Sequence, residues 1–200
     1  MRKKDSVEDI LLESFIVLAT EKPIEKITIK EITDGAGVIR STFYNHFQDK
    51  YELLECIIKE RLLASIGVLL ENGMLKEAII VAGRNILHNK EFYKNAVKLK
   101  GQNSFESIVE QSIVDTFLEY FFKAPNAENS HAANNPWITP ERMAGYFAHA
   151  MTYIFIMWIE ADMCVPPESM AEIFTYIEDK SLIDVVREMG VDPTINPYSN

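Results

Sequence analysis

Cysteine is scarce. Cys56 and Cys164 lie far apart in sequence, each inside an apolar helical pattern, which excludes a disulfide-stapled secreted scaffold. There is also no charged, apolar, small-residue leader of the secretory kind at the start, so the expected compartment is a reducing cytoplasm. Long apolar runs are missing too. The longest uncharged run, Met143 to Ile159, is 17 residues and contains Gly145, His149 and Thr152. A bilayer span needs roughly 20 mostly apolar residues, so this run reads as a buried or interface helix and no membrane partner is expected.

Catalytic signatures are absent as well. There is no P-loop, no glycine-rich dinucleotide turn and no nucleophile elbow. Glu160 and Asp162 are two apart and fall on different helix faces, while Glu178 and Asp179 are surface neighbours. His88, His131 and His149 are scattered without the i, i+4 spacing of a helical metal site, so neither metal nor cofactor is expected. Cys164 reads as an inert thiol, because a sensor needs exposure and a depressed pKa. The chain is not expected to be an enzyme.

What the chain does have is enough apolar content, 48% of 200 residues, to build a sizeable core. Its net charge of −10 repels nucleic acid at long range, but the sign is uneven. Residues 26 to 50 carry Lys26, Lys30, Arg40 and Lys50 against Glu31, Asp34 and Asp49, a net +1. Residues 61 to 200 carry 11 basic and 18 acidic groups, a net −7.

Helical periodicity runs throughout, with no strand-like alternation, so the predicted class is all-α. Val7, Ile10, Leu11, Phe15, Leu18 and Ala19 share a face behind a Ser6–Asp9 capping box, and the helix ends before Pro23. Thr28 and Glu31 repeat the capping-box spacing before a short helix that Gly37 stops. A second short helix fits between Gly37 and Asp49, and Asp49 with Glu52 opens a longer one. Further helices are predicted at about 75–88, 91–100 and 104–123, then a loop over 124–138 rich in Asn, Ala and Pro. Thr139 and Pro140 start a long helix to about Asp162, and Pro166-Pro167 start another running unbroken to Met189 before Gly190.

Short helix, glycine turn, short helix is the outline of a helix-turn-helix DNA reader, at about residues 28–47. In that geometry Arg40 and Ser41 lead the second helix, where Arg40 suits guanine O6 and N7 and Ser41 lets the backbone approach. Thr42, Tyr44 and His46 are suitable phosphate donors, whereas Phe43 and Phe47 belong to the packing face. Lys50 sits in the first turn of the next helix, where it opposes the helix dipole unless a phosphate is bound there. The same residues also fit an ordinary solvated face.

The stretch ITIKEITDGAGVIRSTFYNHFQDKYELL resembles the DNA-binding domain of the TetR family of bacterial transcriptional regulators. The resemblance runs from residue 6 to about 60, with AGV, TFYNHF and DKYELL as its specific parts. It implies that Lys30, Arg40, Ser41 and Asn45 face bases, and that Thr28, Thr42, Tyr44, His46 and Lys50 face the phosphate backbone. One departure stands out. The family usually places serine or threonine where this chain has Ile39, and losing such a cap costs on the order of 1 kcal/mol unless Ser41 caps a shortened helix.

The remainder, including MTYIFIMWIEADMCVPPESMAEIF, resembles the family more loosely. The implied division is a helix-turn-helix domain over 1–60 and a regulatory, ligand-binding and dimerisation domain over 61–200. The resemblance further implies a homodimer through the last two helices, binding a near-palindromic operator in double-stranded DNA. It also implies an effector pocket, for which Phe117, Phe121, Tyr146, His149 and Tyr153 are candidates, although an aromatic stripe also fits a plain core. The expected function is a dimeric repressor released by a small molecule. The alternative is a co-regulator acting through a protein partner, suggested by the acidic charge and the uncapped Ile39. An all-helical enzyme or carrier has no catalytic constellation to support it.

Overall fold

The computed structural model describes residues 6–120 and 137–190, and among these every regular element is helical. Phe121 and most of the 124–138 segment lie outside the described residues. The helices are α1 (Val7–Glu21), α2 (Ile29–Ala36), α3 (Arg40–Tyr44), α4 (Lys50–Ile57), α5 (Gly67–Glu71), α6 (Leu75–His88), α7 (Lys90–Ala96), α8 (Phe105–Tyr120), α9 (Pro140–Glu160), α10 (Pro167–Glu178) and α11 (Leu182–Glu188).

Local chemistry sets most of these boundaries. Ser6 with Asp9, and Thr28 with Glu31, form the two expected capping boxes. Asp49 accepts from the backbone N–H groups of Tyr51 and Glu52 at 2.7 and 2.9 Å, and Thr139 caps α9. The Trp158 indole donates to the Val165 carbonyl at 2.8 Å, closing the turn between α9 and α10.

Three expectations need correction. The predicted helix to residue 100 stops at Ala96, because Leu99 N–H bonds the Ala96 carbonyl and both Val97 and Leu99 turn into the core. The single helix expected over 167–189 is two. α10 ends at Glu178, and Ser181 caps α11 by accepting from Asp184 N–H. Lys180 holds the break closed by pairing with Glu188. Finally, the helix after Asp49 is not regular: α4 passes into a π-helical turn, Ile58–Leu63, and a short 3-10 turn before α5.

That π turn coincides with the expected boundary near residue 60, so the chain crosses from one unit to the other on continuous helical backbone. The Arg61 side chain reaches α1, 3.3 Å from Asp9 and 3.0 Å from Glu13. Its carbonyl accepts from the Asn85 amide of α6. On the other side, Asn95 of α7 donates to the Ala19 carbonyl at 2.9 Å. Lys59 of the π turn pairs with Glu55 of α4 at 2.7 Å and with Asp115 of α8 at 3.1 Å, so α1 and α4 are tied to the later helices through several polar contacts. In the larger unit α9 lies along α8, and α10 along α6. Gly83 allows the second approach, because a Cβ there would sit 2.9 Å from Pro167 Cβ.

Candidate nucleic-acid interface

The interface is built from α2, the glycine turn and α3. α2 ends at Gly37, whose φ of 68° is the left-handed conformation that glycine adopts without a Cβ penalty. Gly37 N–H bonds the Asp34 carbonyl and Val38 N–H the Thr33 carbonyl, so the turn leaves no slack. α2 seats closely on α1: Ser14 Oγ donates to the Ile32 carbonyl at 2.8 Å, and a Cβ on Gly35 would come within 2.4 Å of that hydroxyl.

α3 is only five residues long and needs tertiary support to exist. Phe43 is fully buried, with ring centroids 5.5 Å from Tyr44 and 5.8 Å from Phe47. With that face anchored, Ile39, Arg40, Ser41, Tyr44 and Asn45 are exposed and Thr42 is half-buried. Ile39 is the N-cap residue and makes no side-chain capping bond, and α3 begins at Arg40 rather than in a form capped by Ser41. Lys30 is also exposed, 3.8 Å from Asp34 one turn along.

Three residues expected at the phosphate backbone have prior commitments. Lys50 departs furthest: its ammonium donates to the carbonyls of Ile24, Glu25 and Ile27 at 2.8, 2.8 and 3.0 Å. An ammonium has three protons, and here each has a carbonyl partner within the chain. Lys50 instead ties α4 to the turn before α2. Burial pushes its pKa down, while Glu25 and Asp49 oppose that shift. Thr28 spends its hydroxyl proton on Glu31, at 2.9 Å. His46 places Nδ1 3.1 Å from the Glu8 carboxylate on α1.

Glu31 is the electrostatic centre of the α2 start. Hydrogen bonds from Lys22, then from the Thr28 backbone and hydroxyl, hold its carboxyl down at about 2. Lys22 was not identified from sequence, because a contact nine residues away between separate elements has no periodic signature. The Arg61 contacts with α1 are likewise remote in sequence and have no periodic signature.

The larger unit encloses a cavity of about 40 Å³ among Leu63, Ile66, Ile86, Phe117, Phe155 and Ile159, with Tyr93 and Thr116 also at its walls. Thr116 spends its hydroxyl on the Ser112 carbonyl, at 2.8 Å. Burial pushes the Tyr93 phenol pKa far up, so it stays neutral. Phe117 lines this cavity, but Tyr146, His149 and Tyr153 do not. Tyr146 and Tyr153 are 69% and 57% exposed, and His149 is exposed, pairing with Glu110 at 3.2 Å. The i, i+3/i+4 spacing of these three places them on one face of α9, and that face points away from the cavity. Among the described residues no His, Cys, Asp and Glu cluster could hold a metal ion, and no helix is long and apolar enough to cross a membrane.

The family model for the "transcriptional regulator C-terminal region" matches residues 75–180, and that for "bacterial regulatory proteins, tetR family" matches residues 11–57. The chain belongs to the TetR family. An uncharacterized HTH-type transcriptional regulator of Bacillus subtilis (strain 168), YxbF, is 32% identical to this TetR-family chain over 56 residues. That match covers 28% of this chain and 15% of the relative's length. Among solved structures, the dihydroxyacetone kinase operon activator DhaS is similar in fold, with a TM-score of 0.52 and 20% identity over 86% of this chain and 92% of its own. NalD of Pseudomonas aeruginosa, the secondary repressor of the MexAB-OprM multidrug efflux pump, has a TM-score of 0.52 and 19% identity over 83% and 91%. One of these neighbours is an activator and the other a repressor, so the shared TetR fold does not carry the sign of regulation.

Proposed function

We propose that this TetR-family chain is a homodimeric, sequence-specific DNA-binding repressor that acts in the cytoplasm and leaves its operator when a small molecule binds. The observation that carries this reading is the α3 edge. Arg40, Ser41, Tyr44 and Asn45 stand exposed together on a helix whose other side is locked by Phe43. In this reading Arg40 reads a guanine, Lys30 and Asn45 reach neighbouring bases, and Thr42 and Tyr44 hold phosphates.

The dimer is supported by a second surface. Tyr146, Phe147, Tyr153 and Met157 on α9, with Ile173, Tyr176 and Ile177 on α10, are 40–69% exposed. An apolar face of this kind is covered in a soluble protein by a partner, here a second copy. Two copies would present their α3 helices about one DNA turn, roughly 34 Å, apart on a near-palindromic site. The effector reading rests on the cavity, which at about 40 Å³ is far below the roughly 300–1,000 Å³ of a typical ligand pocket. A ligand must therefore expand it, moving Leu62 and Leu63 of the π turn, whose Arg61 grips α1, and Ile66 just beyond it.

The test is selection and sequencing of genomic fragments bound by the purified protein at near-physiological salt, with Arg40→Ala in parallel. Recovery of a near-palindromic motif that the variant does not enrich supports the reading. No motif at either near-physiological or low salt sinks it.

A further inference from the structure

Ile39 holds the N-cap position of α3, immediately before Arg40, and is 71% exposed. Single exposed aliphatic residues are common and need no explanation. This one differs in its place. The N-cap is where a side-chain oxygen satisfies a free backbone N–H, and isoleucine has none. Nor does the core require it, because the adjoining Val38 and the nearby Phe43 already supply the apolar contacts of this segment. An apolar, β-branched side chain is thus held out in solvent at the leading end of the helix proposed to read bases.

The major groove offers one methyl group on base edges, the C5-methyl of thymine; cytosine has only a C–H at that position, and the groups that distinguish the other bases are hydrogen-bond donors and acceptors. The isoleucine side chain can neither donate nor accept, so among base edges it gains most from that methyl, which it can bury. Its branching at Cβ restricts χ1, which keeps the side chain ordered before contact.

We infer that Ile39 is a specificity-determining residue that packs on the C5-methyl of a thymine next to the base read by Arg40. This rests on the DNA-reading function proposed above. The absent cap is then offset in the complex, where the side chain leaves water and the N-terminal turn of α3 meets the duplex.

The experiment uses the full-length dimer and its selected motif, replacing each thymine in turn by deoxyuracil. That change deletes the methyl and keeps every hydrogen-bonding group. For wild type, deoxyuracil at one half-site position should weaken binding about fourfold, and about fifteenfold when both half-sites are changed, the scale of one buried methyl each. Ile39→Ser should be indifferent to deoxyuracil at that position while keeping its discrimination at the guanine, and Ile39→Val should retain the sensitivity. A motif whose thymines all tolerate deoxyuracil overturns the inference and leaves DNA reading intact. So does a deoxyuracil penalty that persists unchanged in Ile39→Ser. If wild type enriches no motif at all, the DNA-reading proposal fails, and this inference with it.

Discussion

The ammonium of Lys50, at the first position of α4, lies 3.0 Å from the carbonyl oxygen of Ile27, two residues before α2 begins. Together with the Ile24 and Glu25 carbonyls it forms the tie that fixes the orientation of α4 against the start of the helix-turn-helix.

Lys50→Met should therefore act on stability before it acts on DNA. Leaving three carbonyls without their shared donor is expected to cost about 1 to 3 kcal/mol. Thermal unfolding should show a lowered midpoint, while the salt dependence of duplex binding keeps its slope. An unchanged midpoint with a slope reduced by about one unit would return Lys50 to the phosphate role.

Glu31 makes the helix-turn-helix sensitive to acid. Its folded-state pKa is depressed to about 2 by Lys22 and Thr28, so its contribution is complete above the ordinary carboxylate value and is lost as pH falls toward 2. Between about pH 5 and 2 the wild type should lose stability faster than Glu31→Gln, which has no proton to take up there. Parallel unfolding curves for the two proteins across that range would show that the Glu31 bonds to Lys22 and Thr28 contribute nothing.

Gly35 and Ser14 should be coupled with a change of sign. In wild type, Ser14→Ala removes the bond to the Ile32 carbonyl and is expected to cost about 0.5 to 1.5 kcal/mol. In a Gly35→Ala background the new methyl collides with the Ser14 hydroxyl, so the same Ser14→Ala change should stabilise. A double-mutant cycle by denaturant unfolding measures this, and equal costs in both backgrounds would mean that α1 and α2 separate freely.

On the α9–α10 face, Tyr153→Glu combined with Ile177→Glu should yield a monomer. Both side chains are more than half exposed, so the single chain has little reason to unfold. Sedimentation should report the mass of one chain, and operator affinity should fall with it. A doubly substituted protein that stays dimeric would place the interface elsewhere.

The reading helix was legible in sequence because its determinants are local. Capping residues at Thr28 and Asp49, the left-handed Gly37, and apolar spacing ending in Phe43 and Phe47 act within a few residues of chain. The break at Ser181 is just as local, since Ser181 and Asp184 have cap spacing, yet Pro166 and Pro167 at the start of α10 and the glycine after α11 suggested one uninterrupted helix. The pocket was harder to read. Spacing put Tyr146, His149 and Tyr153 on one face of α9, but a helix alone has no inside or outside until α8 covers part of it.

By itself, then, the sequence determined the all-α class, the order of the first four helices and which residues lead α3, because backbone hydrogen bonding and capping are short-range. Only the tertiary structure decided that Lys50 is held by three carbonyls, that Glu31 pairs with Lys22, that Arg61 ties the π turn to α1, and that the aromatic face of α9 looks outward. Each depends on groups that are remote in sequence and meet only when helices dock, and nothing in chain spacing encodes that distance.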